Sequence, residues 1–310
     1  MAEPTLSVYL PTYNHAALLP GAVAAILSQS RPPDELLIVD DASTDATPAV
    51  IAELSRQYPV IHAMRNPINQ GVAKIMHWVP AKLHGDYLYG AASDDRVVTS
   101  FFAAAMQWAH QFPRAGVIFG QIPTYDTQGR FLYSTGVSRW PHSRYASPPE
   151  FMRDCLESEL AAHSLSGATV YRRRALLDSG GFRPELGSWL DTFAIRVLGL
   201  THGVCYLAQP CMAWRLSADS VSQSAARSPR TLWQTVNRAA ALMRSDEYRH
   251  LFPEAHVRRW VKGYRFIIAE QYLLARLGPG ITHRAARSRL AQNMRQKFHH
   301  WLGQGSFPFR

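Results

Sequence analysis

Over its first ninety residues the chain alternates short apolar runs with stretches of helical apolar spacing, and that alternation restricts the fold more than any other feature. Leu6-Ser7-Val8-Tyr9-Leu10 reads as a buried strand closed by Pro11, and Ala16 to Gln29 carries apolar residues at helical intervals. Glu35-Leu36-Leu37-Ile38-Val39 forms a second apolar strand, followed by a turn rich in Asp and Ser and a helix from about Thr47 to Tyr58. Val60-Ile61-His62-Ala63 is strand-like before Asn66-Pro67, a helix near Val72–Leu83 follows, and Asp86-Tyr87-Leu88-Tyr89 makes a fourth strand. Strands separated by helices of about 10 to 15 residues require right-handed crossovers. The expected fold class is therefore α/β, a mainly parallel central sheet with helices on both faces. Ligands of such sheets bind beyond the carboxyl ends of the strands, and here each of those ends runs into polar or acidic residues.

After Ser100 the pattern is mixed: a helix to about Phe112, a strand Gly116–Gly120, a turn at Asp126–Gly129 and a Pro- and Ser-containing loop at Trp140–Pro149. From about Ser228 the chain becomes mainly helical. Within Arg258–Ala275, Trp260, Tyr264, Ile267, Ile268 and Gln271 share one face while Arg258, Lys262 and Arg265 share another. We therefore expect an α/β domain over residues 1–226 and a helical module over 227–310.

The formal net charge of +10 belongs to that module alone. Residues 1–226 carry 17 Lys/Arg against 19 Asp/Glu, whereas 227–310 carry 16 against 4. Closely spaced positive charge suits an anionic membrane surface, an acidic acceptor or nucleic acid. No nucleic-acid module is recognisable, so nucleic acid is not the expected partner. No stretch reaches the roughly 18 to 20 apolar residues that span a bilayer, and Met1-Ala2-Glu3-Pro4 lacks a basic leader, so a soluble, cytoplasmic chain is expected. Cys155, Cys205 and Cys211 form neither a disulfide framework nor a zinc pattern.

Three constellations carry chemistry. Pro11-Thr12-Tyr13-Asn14 follows the first strand and Asp40-Asp41-Ala42-Ser43-Thr44-Asp45 the second, so both sit on one edge of the sheet. A nucleotide base needs a flat partner and in-plane hydrogen bonds, which Tyr13, Thr12 and an Asp would supply; a strand-end turn with helix caps is the alternative. Ser93-Asp94-Asp95 places paired carboxylates after the fourth strand, as a hard divalent cation and a ribose require. Asp191, beside Trp189 and Leu190, is partly desolvated, which raises its proton affinity and suits a general base; a cap for the helix Thr192–Leu200 is the alternative. Lys74 and Arg172-Arg173-Arg174 are candidates for contact with phosphate or an anionic acceptor, or else belong to a solvated face.

Taken in order, Pro11–Asn14, Ile38–Asp45, Asn69-Gln70-Gly71, Ser93-Asp94-Asp95, Ser166–Arg173, Gly180-Gly181-Phe182 and Asp191 with Phe193–Arg196 resemble the family 2 glycosyltransferases of GT-A fold over about residues 5–225. The resemblance implies an inverting transfer of sugar from a nucleoside diphosphate sugar, with UDP the expected nucleotide, to a glycan or lipid-linked acceptor in surface polysaccharide or glycolipid synthesis. It implies a donor half over about 1–100 and an acceptor half over about 101–226. It gives nucleoside and ribose contacts to Pro11, Thr12, Tyr13, Asn14, Asp41 and Asp94, and Lys74 joins this nucleotide site as the candidate phosphate contact named above. Asp95 becomes the ligand of Mg²⁺ or Mn²⁺, and Asp191 the base. Three positions depart from the family pattern. Ala92 stands where an Asp is common, Ser217 where a metal-ligating His is common, and Leu190 where a Glu often precedes the base. The basic module resembles the segments by which peripheral enzymes attach to the inner face of the membrane; packing on the main domain or on a second subunit is the alternative. A sugar nucleotidyltransferase would open with a Gly-rich basic loop, which Pro11–Asn14 is not, and a transferase-like binding protein without catalysis is the remaining reading.

Overall fold

The computed structural model describes residues 3–93, 96–126, 128–135, 140–156, 167–215 and 228–276. The chain divides into two compact units, residues 1–217 and 218–310. The boundary expected at 226/227 lies outside the described residues.

In the first unit, β1 (Leu6–Thr12), β2 (Glu35–Asp40), β3 (Ile61–Arg65) and β4 (Tyr87–Gly90) run parallel in the order β3-β2-β1-β4, as the alternation requires. Between them lie α1 (Leu19–Leu27), α2 (Thr47–Gln57) and α3 (Val72–Trp78). Pro20 and Pro48 stand in the first turns of α1 and α2, where a missing N–H costs nothing. The third helix is shorter than the spacing predicts: Pro80 cannot continue an α-helix, and Val79–Ala81 forms a 3₁₀ turn instead.

Beyond β4 the sheet stops being parallel. Its order continues through β9 (Thr169–Arg172), β6 (Val117–Tyr125), β10 (Val204–Pro210) and β8 (Arg144–Ala146). β9 is antiparallel to both β4 and β6, β10 is parallel to β6, and β8 is antiparallel to β10. β5 (Arg96–Val97), β7 (Phe131–Thr135) and β11 (Met212–Arg215) pair off this path. The segment Trp140–Pro149, expected as a loop, therefore contains strand β8 and the first residues of α5 (Pro148–Phe151). Asp126–Gly129 is a turn, with the Gly129 N–H donating to the Asp126 carbonyl at 3.0 Å.

The period of two along each strand separates two buried layers. Leu6, Val8 and Leu10 join Ile38, Tyr89, Ile118 and Val170 in a core closed by Phe101 and Phe102 of α4 (Phe101–Gln111). Tyr89 meets both phenylalanine rings edge-on, with centroids 5.7 and 5.1 Å away. Tyr9 and Tyr171, one residue out of phase, are buried on the other face, which also receives α7 (Leu190–His202) after α6 (Arg173–Asp178).

In the second unit, α8 (Pro229–Arg244) starts at Ser228, whose hydroxyl accepts the Thr231 N–H, and α9 (Glu254–Arg276) follows. Trp260, Tyr264 and Ile268 are buried while Arg258, Lys262 and Arg265 are exposed, as the helical spacing predicts. Among the described residues no helix is long and apolar enough to cross a membrane.

Candidate functional site

At the carboxyl edge of the parallel strands, the loops after β1 and β2 are joined by a nearly continuous set of hydrogen bonds. The Asp41 N–H donates to the Thr12 carbonyl at 2.9 Å, extending the β1–β2 pairing past the last strand residue. Three consecutive amides of the first loop then donate to side chains of the second. The Asn14 N–H reaches Ser43 Oγ at 2.9 Å, the His15 N–H reaches Thr47 Oγ1 at 3.0 Å, and the Ala16 N–H reaches Asp45 Oδ2 at 3.2 Å. In return Asn14 Oδ1 accepts the Thr44 N–H at 2.8 Å. Asp45 also accepts the Thr47 N–H at the start of α2, and these hydrogen bonds hold its carboxyl below the ordinary value. Asn14 and Ala42 both have left-handed backbone, φ 53° and 62°, so the two facing turns store strain that the hydrogen bonds hold in place.

Asp41 is buried and organises a third loop. Its Oδ1 accepts from Asn66 Nδ2 at 2.7 Å and the Gln70 N–H at 2.9 Å, and its Oδ2 accepts the Gly71 N–H at 2.7 Å. Asn69-Gln70-Gly71 is thereby drawn to the same edge. Gly71 takes φ 81°, a conformation that costs glycine little, and α3 follows with Lys74 exposed one turn on. Asp40 is tied locally: Oδ1 accepts the Ser43 N–H at 3.0 Å, and Oδ2 lies 3.4 Å from Arg65 Nε.

Of the expected nucleoside contacts, Pro11 is half-buried and Thr12 buried at the end of β1, with Thr12 Oγ1 lacking a hydrogen-bond partner. Tyr13 is 42% exposed, its ring open to a planar partner. Asn14 is used in joining the loops, a role its residue type did not reveal. Asp94, Asp95 and Ser217 lie outside the described residues. Ser93, directly before the Asp pair, is buried and hydrogen-bonded to His15 Nδ1, so the residue that opens the second constellation is tied to the first loop. Among the described residues no three His, Cys, Asp or Glu side chains cluster around a metal position. The carboxylate oxygens of Asp94-Asp95 are donors of the chemistry that a hard divalent cation takes.

His15 and Asn66 escaped the sequence reading. The only available signal was their position, at the strand ends of a parallel sheet, and neither residue type is distinctive there.

Asp191 stands inside the first turn of α7, after Leu190, and not ahead of the helix as a cap would. It is half-buried, and its Oδ1 accepts the Thr192 N–H at 2.6 Å. Its charge is felt across the inner face of the sheet. Tyr9 and Tyr171 have phenol pKa values raised first by burial and then by Asp191. Arg196 is buried on the same helix, its Nη1 donating to the Thr192 carbonyl at 3.3 Å; burial lowers its pKa to about 10, and Asp191 opposes that shift. The Tyr9 hydroxyl sits against the Cα of Gly90, where a Cβ would lie 2.5 Å from it. A side chain at this last residue of β4 has no room, so β1 and the strand leading to the Asp pair are packed together.

The family model for glycosyl transferase family 2 matches residues 7–180, more than half of the 310. The putative teichuronic acid biosynthesis glycosyltransferase TuaG of Bacillus subtilis (strain 168) is 32% identical over 94 residues, 30% of this chain and 37% of that protein. S. aureus TarS (1–349), in complex with UDP-GlcNAc, is similar with a TM-score of 0.65 at 19% identity, over 84% of this chain and 71% of that one. The mannosyltransferase PcManGT of Pyrobaculum calidifontis, in complex with GDP-Man and Mn²⁺, has a TM-score of 0.59 at 18% identity, over 94% of this chain and 80% of that one. The chain spans less than two thirds of the length of the first curated relatives it matches, 65% and 62%. At these identities the structural likeness establishes the fold, a GT-A-like mixed α/β sheet flanked by helices. With its strand-end loops in this arrangement and most of its α/β unit inside the family model, the chain belongs to glycosyl transferase family 2.

Proposed function

We propose that the chain is an inverting glycosyltransferase that moves a sugar from a nucleoside diphosphate donor, UDP-linked, to a hydroxyl of a glycan or lipid-linked acceptor in surface polysaccharide synthesis. The observation that carries this reading is the joined pair of loops after β1 and β2, with Asp41 drawing in Gln70 and Gly71. Such a surface is rigid before ligand arrives, and it presents the exposed Tyr13 ring to a nucleoside, with Thr12 and Asp41 buried behind it. Pro11 and Asn14 shape the pocket, Asp94 faces the ribose and Lys74 the phosphates. The UDP-GlcNAc complex of TarS and the name of TuaG support the nucleotide and the glycan context. Residues 1–226 would form the catalytic domain, and 227–310 would attach it to the inner face of the membrane.

In this mechanism Asp191 takes the proton of the acceptor hydroxyl as that oxygen attacks the anomeric carbon from the face opposite the nucleotide. The bond to the diphosphate breaks on the other side, so configuration inverts. Mg²⁺ or Mn²⁺, when bound at Asp95, offsets the charge that develops on the departing diphosphate. The Thr192 N–H donates to Asp191, and the buried Arg196 guanidinium brings positive charge to the same turn of the helix.

Calorimetric titration with UDP, GDP and dTDP, with and without Mn²⁺, tests the donor site, and donor turnover in Asp191→Asn tests the base. We expect one nucleotide to bind with metal dependence, and turnover in the variant to fall by roughly 10²–10⁴ with nucleotide affinity kept. Absence of binding to all three would sink the donor site; wild-type turnover in Asp191→Asn would sink the base.

A further inference from the structure

The opposite edge of the same sheet holds a cavity of about 330 Å³ that the transferase reading does not use. Pro4, Asp86 and Tyr87 line it, so it lies at the amino ends of β1 and β4. The donor loops begin at the other end of β1, and seven strand residues separate the two edges by roughly 20 Å.

Its walls carry Arg172, Arg173 and Arg174 together with His84 and His110. The carboxylates nearby are already engaged. Asp86 Oδ2 accepts the Thr5 N–H at 2.9 Å and the Thr5 hydroxyl at 2.8 Å. Glu35 pairs with His84 at 3.0 Å, and Arg174 with Asp178 at 2.9 Å. Arg172 and Arg173 differ: among the described residues neither has a carboxylate within ion-pair distance. Neutral acceptors hold them instead. Arg172 Nη1 donates to the Pro113 carbonyl at 3.1 Å, and its Nη2 lies 3.0 Å from His202 Nδ1. Arg173 Nε donates to the Pro80 carbonyl at 2.9 Å. His202 is kept neutral by burial and by Arg172, so it takes this contact as an acceptor. Arg172 Nε–H is buried and has no hydrogen-bond partner.

Two half-buried guanidinium groups, oriented by neutral acceptors and with no ion-pair partner among the described residues, outnumber the one Asp86 carboxylate on the same wall, so the cavity gains free energy from an anion. The planar fork of N–H donors matches phosphate oxygens, and the volume suits a small ligand. We propose that this cavity is a second phosphate site, distinct from the donor nucleotide's, which takes the phosphate or diphosphate group of a small molecule or of a lipid headgroup.

The full chain, in EDTA so that no divalent cation holds a diphosphate at the donor site, is titrated with inorganic pyrophosphate by calorimetry. Arg172→Met/Arg173→Met is expected to weaken binding at least tenfold and to leave UDP affinity unchanged. Because Arg172 also ties the residues after α4 to the end of α7, Arg173→Met alone, checked by its melting temperature, carries the test if the double variant unfolds. Sedimentation with phosphatidylglycerol vesicles separates the sources. Vesicle binding that both variants lose and pyrophosphate displaces assigns the site to a lipid headgroup. Pyrophosphate binding without arginine-dependent vesicle binding assigns it to a free ligand. Absence of arginine-dependent binding for both probes overturns the proposal.

Discussion

The loops after β1 and β2 and the start of α7 serve one proposed reaction, yet they are built on opposite terms. In the loops almost every polar group is spent on the fold: amides 14 to 16 each donate across to the second loop, and Asp41 accepts three hydrogen bonds. Around Asp191 two buried polar atoms are left open: the Tyr9 hydroxyl and Arg196 Nε lack hydrogen-bond partners. A recognition surface gains from being held rigid before its ligand arrives, which favours complete hydrogen bonding. A base has to change charge during the reaction, so it is tuned by the field of buried neighbours more than by saturating its oxygens. The difference teaches that stability and chemistry are distributed unevenly along one sheet edge.

The sharpest test of that contrast is Asp41→Ala. Asn66 Nδ2 and the Gln70 and Gly71 amides would lose their acceptor, at a cost of about 2–4 kcal/mol. For a unit of this size the melting temperature should fall by roughly 5–15 °C, with nucleotide binding lost. A wild-type melt would mean that the loops are not joined through Asp41.

Arg196→Met probes the other side and should lower the melting temperature modestly, because Asp191 loses a nearby positive charge and the Thr192 carbonyl a donor, while the relief of a buried charge offsets part of the loss. Its distinguishing effect belongs in the pH profile. A guanidinium near a carboxylate favours the ionised form, so removing it makes the base hold its proton to higher pH. The acid limb of kcat/KM should move up by about one pH unit. An unmoved limb combined with a lowered melt would make Arg196 a packing residue only.

The smallest effect is expected for Ala42→Gly. At φ 62° an alanine is strained by about 1–2 kcal/mol, of which glycine's extra freedom in the unfolded chain takes back roughly 0.5–1. Thermal unfolding should show a gain of about 0.5–1 kcal/mol; a loss would mean that the turn is not strained.

The donor half of the fold was legible in the chain because its signals are local. Apolar runs at a period of two, helices at 3.6 and turn residues at the strand ends place β1 to β4, α1 to α3 and the motifs Pro11–Asn14 and Asp40–Asp45 without reference to anything distant. The acceptor half was not. Strand β8 lies in a segment that reads as a loop, since Arg144-Tyr145-Ala146 has little strand character until β10 pairs with it. Two of the site's supporting residues, His15 and Asn66, carry no local mark at all.

By itself, then, the sequence determined an α/β unit with acidic strand ends, the family it resembles and a basic helical segment after it. Only the tertiary structure decided that β9 enters antiparallel between β4 and β6, which sets Tyr171 and Tyr9 on the face where α7 brings Asp191 and Arg196. It also decided that Arg172 and Arg173 line a cavity at the far edge, with no carboxylate partner among the described residues. The reason is the range of the forces involved. Backbone periodicity acts over a few residues, whereas the pairing of strands some eighty residues apart is settled by which apolar faces can be buried together.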